Sequence, residues 1–86
     1  MSSRDVKFRD GQQIVCVNNT RDNNDYVVDL TYGKIYRVYE DSIMDYSSGV
    51  EIVFIQNDAG YLINYSAYRF ISVEEYRSRV ITGILN

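Results

Sequence analysis

The side chains that carry most enzyme chemistry are scarce in this sequence of 86 residues, which contains no histidine and one cysteine, Cys16. Histidine is the commonest general base and the commonest neutral metal ligand. Cys16 lies in the apolar run Ile14-Val15-Cys16-Val17, whereas a catalytic thiolate needs an electropositive and partly exposed setting. We therefore interpret Cys16 as a core residue, and the sequence predicts no catalytic residue and no enzyme activity.

The polar run Asp22-Asn23-Asn24-Asp25 supplies oxygen ligands of the kind that calcium prefers. An EF-hand loop, however, needs a glycine at its sixth position and a glutamate at its twelfth. Counted from Asp22, these positions hold Val27 and Gly33, so the match fails. We interpret the run as a solvated loop and predict neither a metal site nor a cofactor.

The tyrosines are the unusual feature, since the chain contains nine of them. Tyrosine is enriched at binding surfaces because it offers a large contact area at low entropic cost. We interpret Tyr36 and Tyr61 as residues of the core and its rim, and expect four of the other tyrosines to form a protein-binding patch. Tyrosines scattered singly on the surface, and solvated arginines, are the alternative interpretation. The predicted protein-binding residues are four tyrosines and two arginines at the rim, namely Tyr26, Tyr32, Tyr39, Tyr68, Arg37 and Arg69.

Charge and composition limit the class of partner and the compartment. Nine Lys and Arg residues against twelve Asp and Glu residues give a net charge of −3, which disfavours a nucleic-acid partner. A single cysteine forms no internal disulfide, as expected in a reducing compartment. The charged first ten residues differ from a signal peptide, and no apolar run has membrane-spanning length. We expect a cytoplasmic protein with no membrane partner.

The element that must organise these residues is a β-hairpin. Ile52-Val53-Phe54-Ile55 is a run of β-branched and aromatic residues without polar alternation, which is typical of a strand covered on both faces. Asn57-Asp58-Ala59-Gly60 suits a tight turn in which Gly60 takes a positive φ. We therefore predict strands over 52–56 and 61–65.

Short apolar runs predict three further strands, over 12–17, 34–40 and 69–71. In 34–40 the alternation places Tyr36 and Val38 on one face, which we interpret as the core face. Polar stretches rich in turn formers predict loops over 18–25 and 41–49, a turn with positive φ at Gly33, and a single 3₁₀ turn over 66–68.

The clearest local signal is the capping box Ser72-Val73-Glu74-Glu75. Val73, Tyr76, Val80 and Ile84 recur at helical spacing after it, which indicates a buried stripe. We therefore predict a helix over about 73–84.

The segment Gly60-Tyr61-Leu62-Ile63-Asn64-Tyr65-Ser66-Ala67-Tyr68 resembles the stretch of SH3 domains that runs from the distal hairpin to the ligand-contacting tyrosine. Ser66 and Tyr68 match the family's serine and tyrosine, whereas Tyr65 and Ala67 stand where the family has proline and asparagine. The chain has no tryptophan, so the groove tryptophan of peptide-binding SH3 domains is missing. The resemblance implies the fold but not the binding of proline-rich ligands.

These observations predict a mainly β protein of one domain, residues 1–86. The domain is expected to comprise a small five-stranded SH3-like barrel over 12–71 and a C-terminal α-helix over 72–86.

The segments 14–17, 30–38, 57–60 and 68–70 together carry a second resemblance, to small and mostly uncharacterised proteins of tailed bacteriophages. This resemblance implies an SH3-like fold and a phage origin, and hence the cytoplasm of a bacterial host. It implies no activity.

The leading functional interpretation is a non-enzymatic module that binds a host or phage protein. One alternative is a small barrel that binds nucleic acid by stacking bases on its aromatic residues. The other is a structural or assembly protein that associates through strand edges or through Ile81 and Leu85 of the helix. We expect a monomer or a weak homo-oligomer.

Overall fold

The computed structural model describes residues 6–20 and 29–85, and within the helix it describes side chains through Ile81. The predicted solvated loop 22–25 and most of the loop that contains it lie outside the described residues. In chain order the elements are β1 (Gln13–Cys16), β2 (Ile35–Arg37), β3 (Ile43–Asp45), β4 (Val50–Gln56), β5 (Leu62–Ser66), a 3₁₀ turn (Ala67–Arg69), β6 (Phe70–Ser72) and α1 (Val73–Leu85).

The strands form two antiparallel sheets of three strands each. Sheet A has the order β2-β1-β6, and sheet B has the order β3-β4-β5. Among the described residues, the two sheets are joined by one isolated bridge, between Val38 and Ile55. The chain is therefore mainly β with a C-terminal helix, as predicted, but its described strands do not close into a barrel.

The structure has one strand more than the five predicted. This additional strand is β3, which lies in the stretch 41–49 that was predicted to be a loop. Ile43 pairs with Ile52 of β4, whereas Val38 bridges to Ile55. Four residues (39–42) separate Val38 from Ile43, but two residues separate Ile52 from Ile55, so the β2–β3 side holds two extra residues. Such an insertion bends a strand and increases its twist, and a strand pattern read from sequence alone does not reveal it.

The N-terminal segment fills this bend. The Phe8 side chain is 2% exposed, its N–H donates to Ser42 Oγ at 3.1 Å, and its carbonyl accepts from Ser42 N–H at 2.9 Å. The Ser42 hydroxyl in turn donates to Glu51. Phe8 is thus part of the core, and the buried N–H and hydroxyl of Ser42 both have hydrogen-bond partners.

The core lies between the two sheets. Alternation along β1 and β2 points Ile14, Cys16, Tyr36 and Val38 inward, as the pattern of 34–40 predicted. From β4, β5 and β6 the core receives the side chains of Val53, Ile55, Tyr65 and Phe70.

The outer face of β4 is less completely covered than the sequence predicts. Val53 and Ile55 are fully buried, but Ile52 and Phe54 on the opposite face remain partly exposed. The apolar run of β4 is therefore covered on the inner face and only in part on the outer face.

Helix α1 begins as predicted, because Glu75 N–H donates to Ser72 Oγ at 3.0 Å and caps its first turn. The helix contacts β1 and β6, where Val15 and Ile71 lie buried on the outer face of sheet A. The stripe leaves the body further along, since Val80 is 43% exposed. The prediction of a buried stripe through Val80 is therefore wrong.

Within the described residues, no helix is long and apolar enough to cross a membrane.

Candidate functional site: two exposed tyrosines at one end of sheet A

Tyr32 lies in a turn whose backbone is fixed by hydrogen bonds. Lys34 N–H donates to the Thr31 carbonyl at 3.1 Å, and Gly33 N–H donates to the Cys16 carbonyl at 2.7 Å. Gly33 has a φ of 83°, a conformation that favours glycine, and a Cβ at this position would lie 3.2 Å from the Tyr76 hydroxyl. The Tyr32 side chain projects from this turn and is 60% exposed.

Tyr68 lies at the centre of the 3₁₀ turn, between two buried residues. Ala67 is 1% exposed and Arg69 is 0% exposed, whereas Tyr68 is 44% exposed. The Arg69 carbonyl accepts a 2.8 Å hydrogen bond from Val17 N–H, which attaches the turn to the end of β1. The buried neighbours fix the backbone of Tyr68 and direct its ring outward.

The two tyrosines lie on opposite sides of the same end of β1. Tyr32 precedes Gly33, whose N–H donates to the Cys16 carbonyl. Tyr68 precedes Arg69, whose carbonyl accepts from the Val17 N–H. Since neighbouring strands lie about 4.8 Å apart, the two backbones are separated by roughly 10 Å across β1. We call Tyr32 and Tyr68 the tyrosine surface; it presents two aromatic faces and two phenolic hydroxyls on supported backbone.

Tyr39 and Arg37 belong to the other end of sheet A. Arg37 pairs with Gln13 at the beginning of β1, and the Arg37 guanidinium lies 4.9 Å from the centroid of the Tyr39 ring. Tyr39 is half-buried and Arg37 is exposed. The predicted patch is thus not continuous, because β1 separates Tyr39 and Arg37 from Tyr32 and Tyr68. Tyr39 and Arg37 form a cation–π pair of their own.

Arg69 was predicted as a charged rim residue, and this exposure prediction is wrong. Its side chain is fully buried, and its Nη1 donates to the Asn18 carbonyl at 3.0 Å. The guanidinium lies 6.0 Å from the Tyr68 ring centroid, so Arg69 supports the tyrosine surface from beneath. Tyr26, the remaining predicted residue, lies outside the described residues.

No family model, curated protein or solved structure matches the chain. The function is therefore inferred from the geometry of the chain itself.

Asp58 is the site residue that sequence reasoning missed. It was interpreted as a turn former, but its carboxylate accepts the Thr31 hydroxyl at 2.6 Å, the Lys34 ammonium at 2.7 Å and the Tyr36 hydroxyl at 2.8 Å. Its own N–H donates to the Asp29 carbonyl at 2.9 Å. The Asp58 contacts therefore fix the residues on both sides of Tyr32. The sequence carried no signal for this role beyond the preference of Asp for turns.

The electrostatics of this cluster follow from its hydrogen bonds. Partial burial alone would raise the pKa of Asp58, but the hydrogen bonds from Lys34, Thr31 and Tyr36 together lower it below its ordinary value. Burial, opposed in part by the hydrogen bond from the Thr31 N–H and reinforced by Asp58, raises the pKa of Tyr36 to about 12. At neutral pH the cluster is thus an Asp58 carboxylate facing a neutral Tyr36 phenol.

The remaining reactive group is Cys16. It is fully buried, and burial raises the pKa of its thiol, although the Asn18 backbone and Arg69 oppose the increase. In the described part of the chain no three His, Cys, Asp or Glu residues are placed to hold a metal ion.

Among the described residues two further tyrosines are exposed, and both belong to the turns of sheet B. Tyr46 is 87% exposed in the β3–β4 turn, and Tyr61 is 66% exposed beside the β4–β5 turn. Tyr36 is buried as predicted, but Tyr61 is not a core residue. Exposure alone therefore does not single out the tyrosine surface; the position of Tyr32 and Tyr68 on the two sides of one end of β1 does.

Proposed function

We propose that the protein is a non-enzymatic binding module that captures a protein partner through the tyrosine surface. The observation that carries this proposal is that Tyr32 and Tyr68 expose their rings from turns held by backbone hydrogen bonds to one end of β1. Binding to a preorganised surface loses less conformational entropy than binding to a mobile one. Tyrosine is also among the residues most often found at binding hot spots.

A protein partner is favoured over nucleic acid by charge. The net charge of −3 repels a phosphate backbone, and the Lys34 ammonium near Tyr32 is occupied by Asp58 at 2.7 Å. The arginine beneath Tyr68 is buried and so contributes no exposed positive charge. The resemblance to tailed-phage proteins further supports a partner encoded by the phage or its bacterial host.

We also propose that the fold is an opened SH3-like barrel. Support comes from the pairing of both Val38 and Ile43 with β4, which makes β2 and β3 one bent strand. Further support comes from the 3₁₀ turn between β5 and β6 and from the pairing of β6 with β1. With β2 and β3 taken as one, the strand count becomes the five that the sequence predicts.

The proposal is tested by differential capture from bacterial host lysate, followed by titration of the purified captured protein. The double variant Tyr32→Ala/Tyr68→Ala is compared with the control Tyr46→Ala, whose ring is 87% exposed in the β3–β4 turn of the other sheet. Loss of two hot-spot rings is expected to raise the Kd by at least about 30-fold, while the control binds like the wild type. Equal capture by the wild type and the Tyr32/Tyr68 variant contradicts the proposal.

A further inference from the structure

A second surface, independent of the tyrosine surface, lies on the outer face of sheet B. The register aligns Ile43 of β3 with Ile52 of β4, and it aligns Gln56 of β4 with Leu62 of β5. Since aligned residues point to the same side, these residues share the outer face with Phe54. We call Ile43, Ile52, Phe54 and Leu62 the apolar outer face.

This face is exposed in the single chain. Ile43 is 41% exposed and Leu62 is 59% exposed, while Ile52 and Phe54 between them remain partly exposed. Helix α1 contacts β1 and β6 of the other sheet. A contiguous apolar area of this kind marks an interaction surface more often than single exposed residues do.

The sequence of β4 points to a cover on this side. A run such as Ile52-Val53-Phe54-Ile55 is typical of a strand buried on both faces, and the core buries Val53 and Ile55 alone. The outer face of β4 would be buried as well if apolar side chains of another chain packed on Ile52 and Phe54.

The chemistry of the face favours self-association. Among the outward positions of β3, β4 and β5 there is no Lys or Arg, and Asp45, at the end of β3, is the one charged residue. Asp45 lies at the edge of this face, and its carboxylate accepts hydrogen bonds from the Ser47 and Ser48 hydroxyls of the β3–β4 turn. In a two-fold contact each residue type must suit its own copy. Apolar side chains meet this condition, as does the Asn64 amide with its donor and its acceptor, whereas like charges do not.

We propose that the apolar outer face binds a second copy of the chain and forms a weak two-fold homodimer. Three strands about 4.8 Å apart, with an average length of about 17 Å, give a footprint of roughly 240 Å² per copy. Stable interfaces bury about 800 Å² per partner, so the flanking side chains must add to the contact and the dimer remains weak. A Kd on the order of 100 µM is expected for an interface of this size.

The test is sedimentation equilibrium of the purified full chain from about 10 µM to about 1 mM, a range that brackets the expected Kd. The mass is expected to rise from the 10.0 kDa of the monomer towards twice that value. Leu62→Glu is expected to raise the Kd at least tenfold, because it places two like charges in the contact. Ile81→Glu is the matched control, since Ile81 is 57% exposed on α1, and it is expected to leave the Kd unchanged.

Asn64→Lys, at a second exposed position of the same face, repeats the test should Leu62→Glu fail to fold. Added salt is expected to leave the association unchanged or to strengthen it, because the contact is uncharged. A strict monomer throughout the range overturns the proposal, as does a dimer that survives both sheet B variants. Loss of the dimer in Ile81→Glu assigns the contact to the helix and also overturns it.

Discussion

The Tyr36 hydroxyl donates a 2.8 Å hydrogen bond to the Asp58 carboxylate. Tyr36 belongs to β2 in sheet A, and Asp58 lies in the turn that joins β4 and β5 of sheet B. The same hydroxyl accepts a 2.8 Å hydrogen bond from Thr31 N–H. A partly buried polar cluster therefore joins the sheets at the end of the molecule where Tyr32 is exposed.

The first prediction concerns the free energy of unfolding after loss of the Asp58 carboxylate. Asp58→Ala is expected to lower it by about 2–3 kcal/mol, because the buried Tyr36 hydroxyl loses its acceptor and two further side-chain bonds are lost. Asp58→Asn keeps an acceptor oxygen but loses the charge, so the free energy of unfolding is expected to fall by only about 1 kcal/mol. Urea denaturation measures both. Glu40→Gln, at an exposed carboxylate, is the control and should change stability by less than about 0.5 kcal/mol; an Asp58→Ala variant as stable as this control contradicts the structural role.

The second prediction is a dependence of stability on acid. Because the pKa of Asp58 is lower in the folded protein than its ordinary value, its ionised form contributes stability that is present above the ordinary value. This stability is lost as the pH falls through the folded value. Thermal unfolding from neutral pH into the acid range should show a smaller fall in Tm for Asp58→Asn than for the wild type. The remaining slope includes Asp45, whose pKa is lowered by hydrogen bonds from Ser47 and Ser48.

The third prediction is the corresponding alkaline limit. The pKa of Tyr36 is raised from 10.0 to about 12, so the neutral phenol favours the folded state. This stability is fully present below 10 and is lost as the pH rises towards 12. Tyrosinate absorbance of the folded protein should include a phenol that ionises only at about pH 12. Its disappearance in Tyr36→Phe assigns it, whereas an unchanged titration of the variant would refute the assignment.

Much of the fold was predictable because it depends on local pattern. Alternation located Tyr36 and Val38 in the core, turn chemistry located Gly60, whose φ is 91°, and the capping box located the start of the helix. These features depend on residues close together in the sequence, so the chain displays them directly.

The remaining features depend on contacts between residues distant in sequence. Strand β3 forms because Ile43 meets Ile52 after a bend that is filled by Phe8, and no local pattern records that meeting. The division of the predicted tyrosine patch has the same origin, because the register of β1 and β2 separates Tyr32 from Tyr39. Residue types suggested an aromatic surface, but they contained no information about which aromatics share an end of a sheet.

The fourth prediction separates the buried Arg69 of the structure from the rim residue that the sequence suggested. An exposed arginine contributes little, whereas removing a buried, hydrogen-bonded guanidinium costs about 3 kcal/mol or more. Arg69→Ala is therefore expected to destabilise the protein strongly in urea denaturation. Arg37→Ala, which removes an exposed cation–π partner of Tyr39, should cost no more than about 1 kcal/mol. Similar small effects from both would place Arg69 back at the surface.

The final prediction concerns the reactivity of the Cys16 thiol. It tests whether this thiol is inaccessible to reagents in the folded protein. Cys16 is fully buried, and burial raises its pKa, so both access and the thiolate fraction limit its reaction. Modification by a disulfide reagent in native buffer should be at least about a thousandfold slower than for an unfolded chain, since it requires an opening that costs several kcal/mol. Ser78→Cys adds an exposed thiol on α1 as an internal control, and that thiol should react at once. Urea should then release Cys16 in parallel with unfolding. If Cys16 of the folded protein reacted as fast as the control thiol, it would be accessible at the end of β1. The inference that the protein is a non-enzymatic binding module would then have to be abandoned.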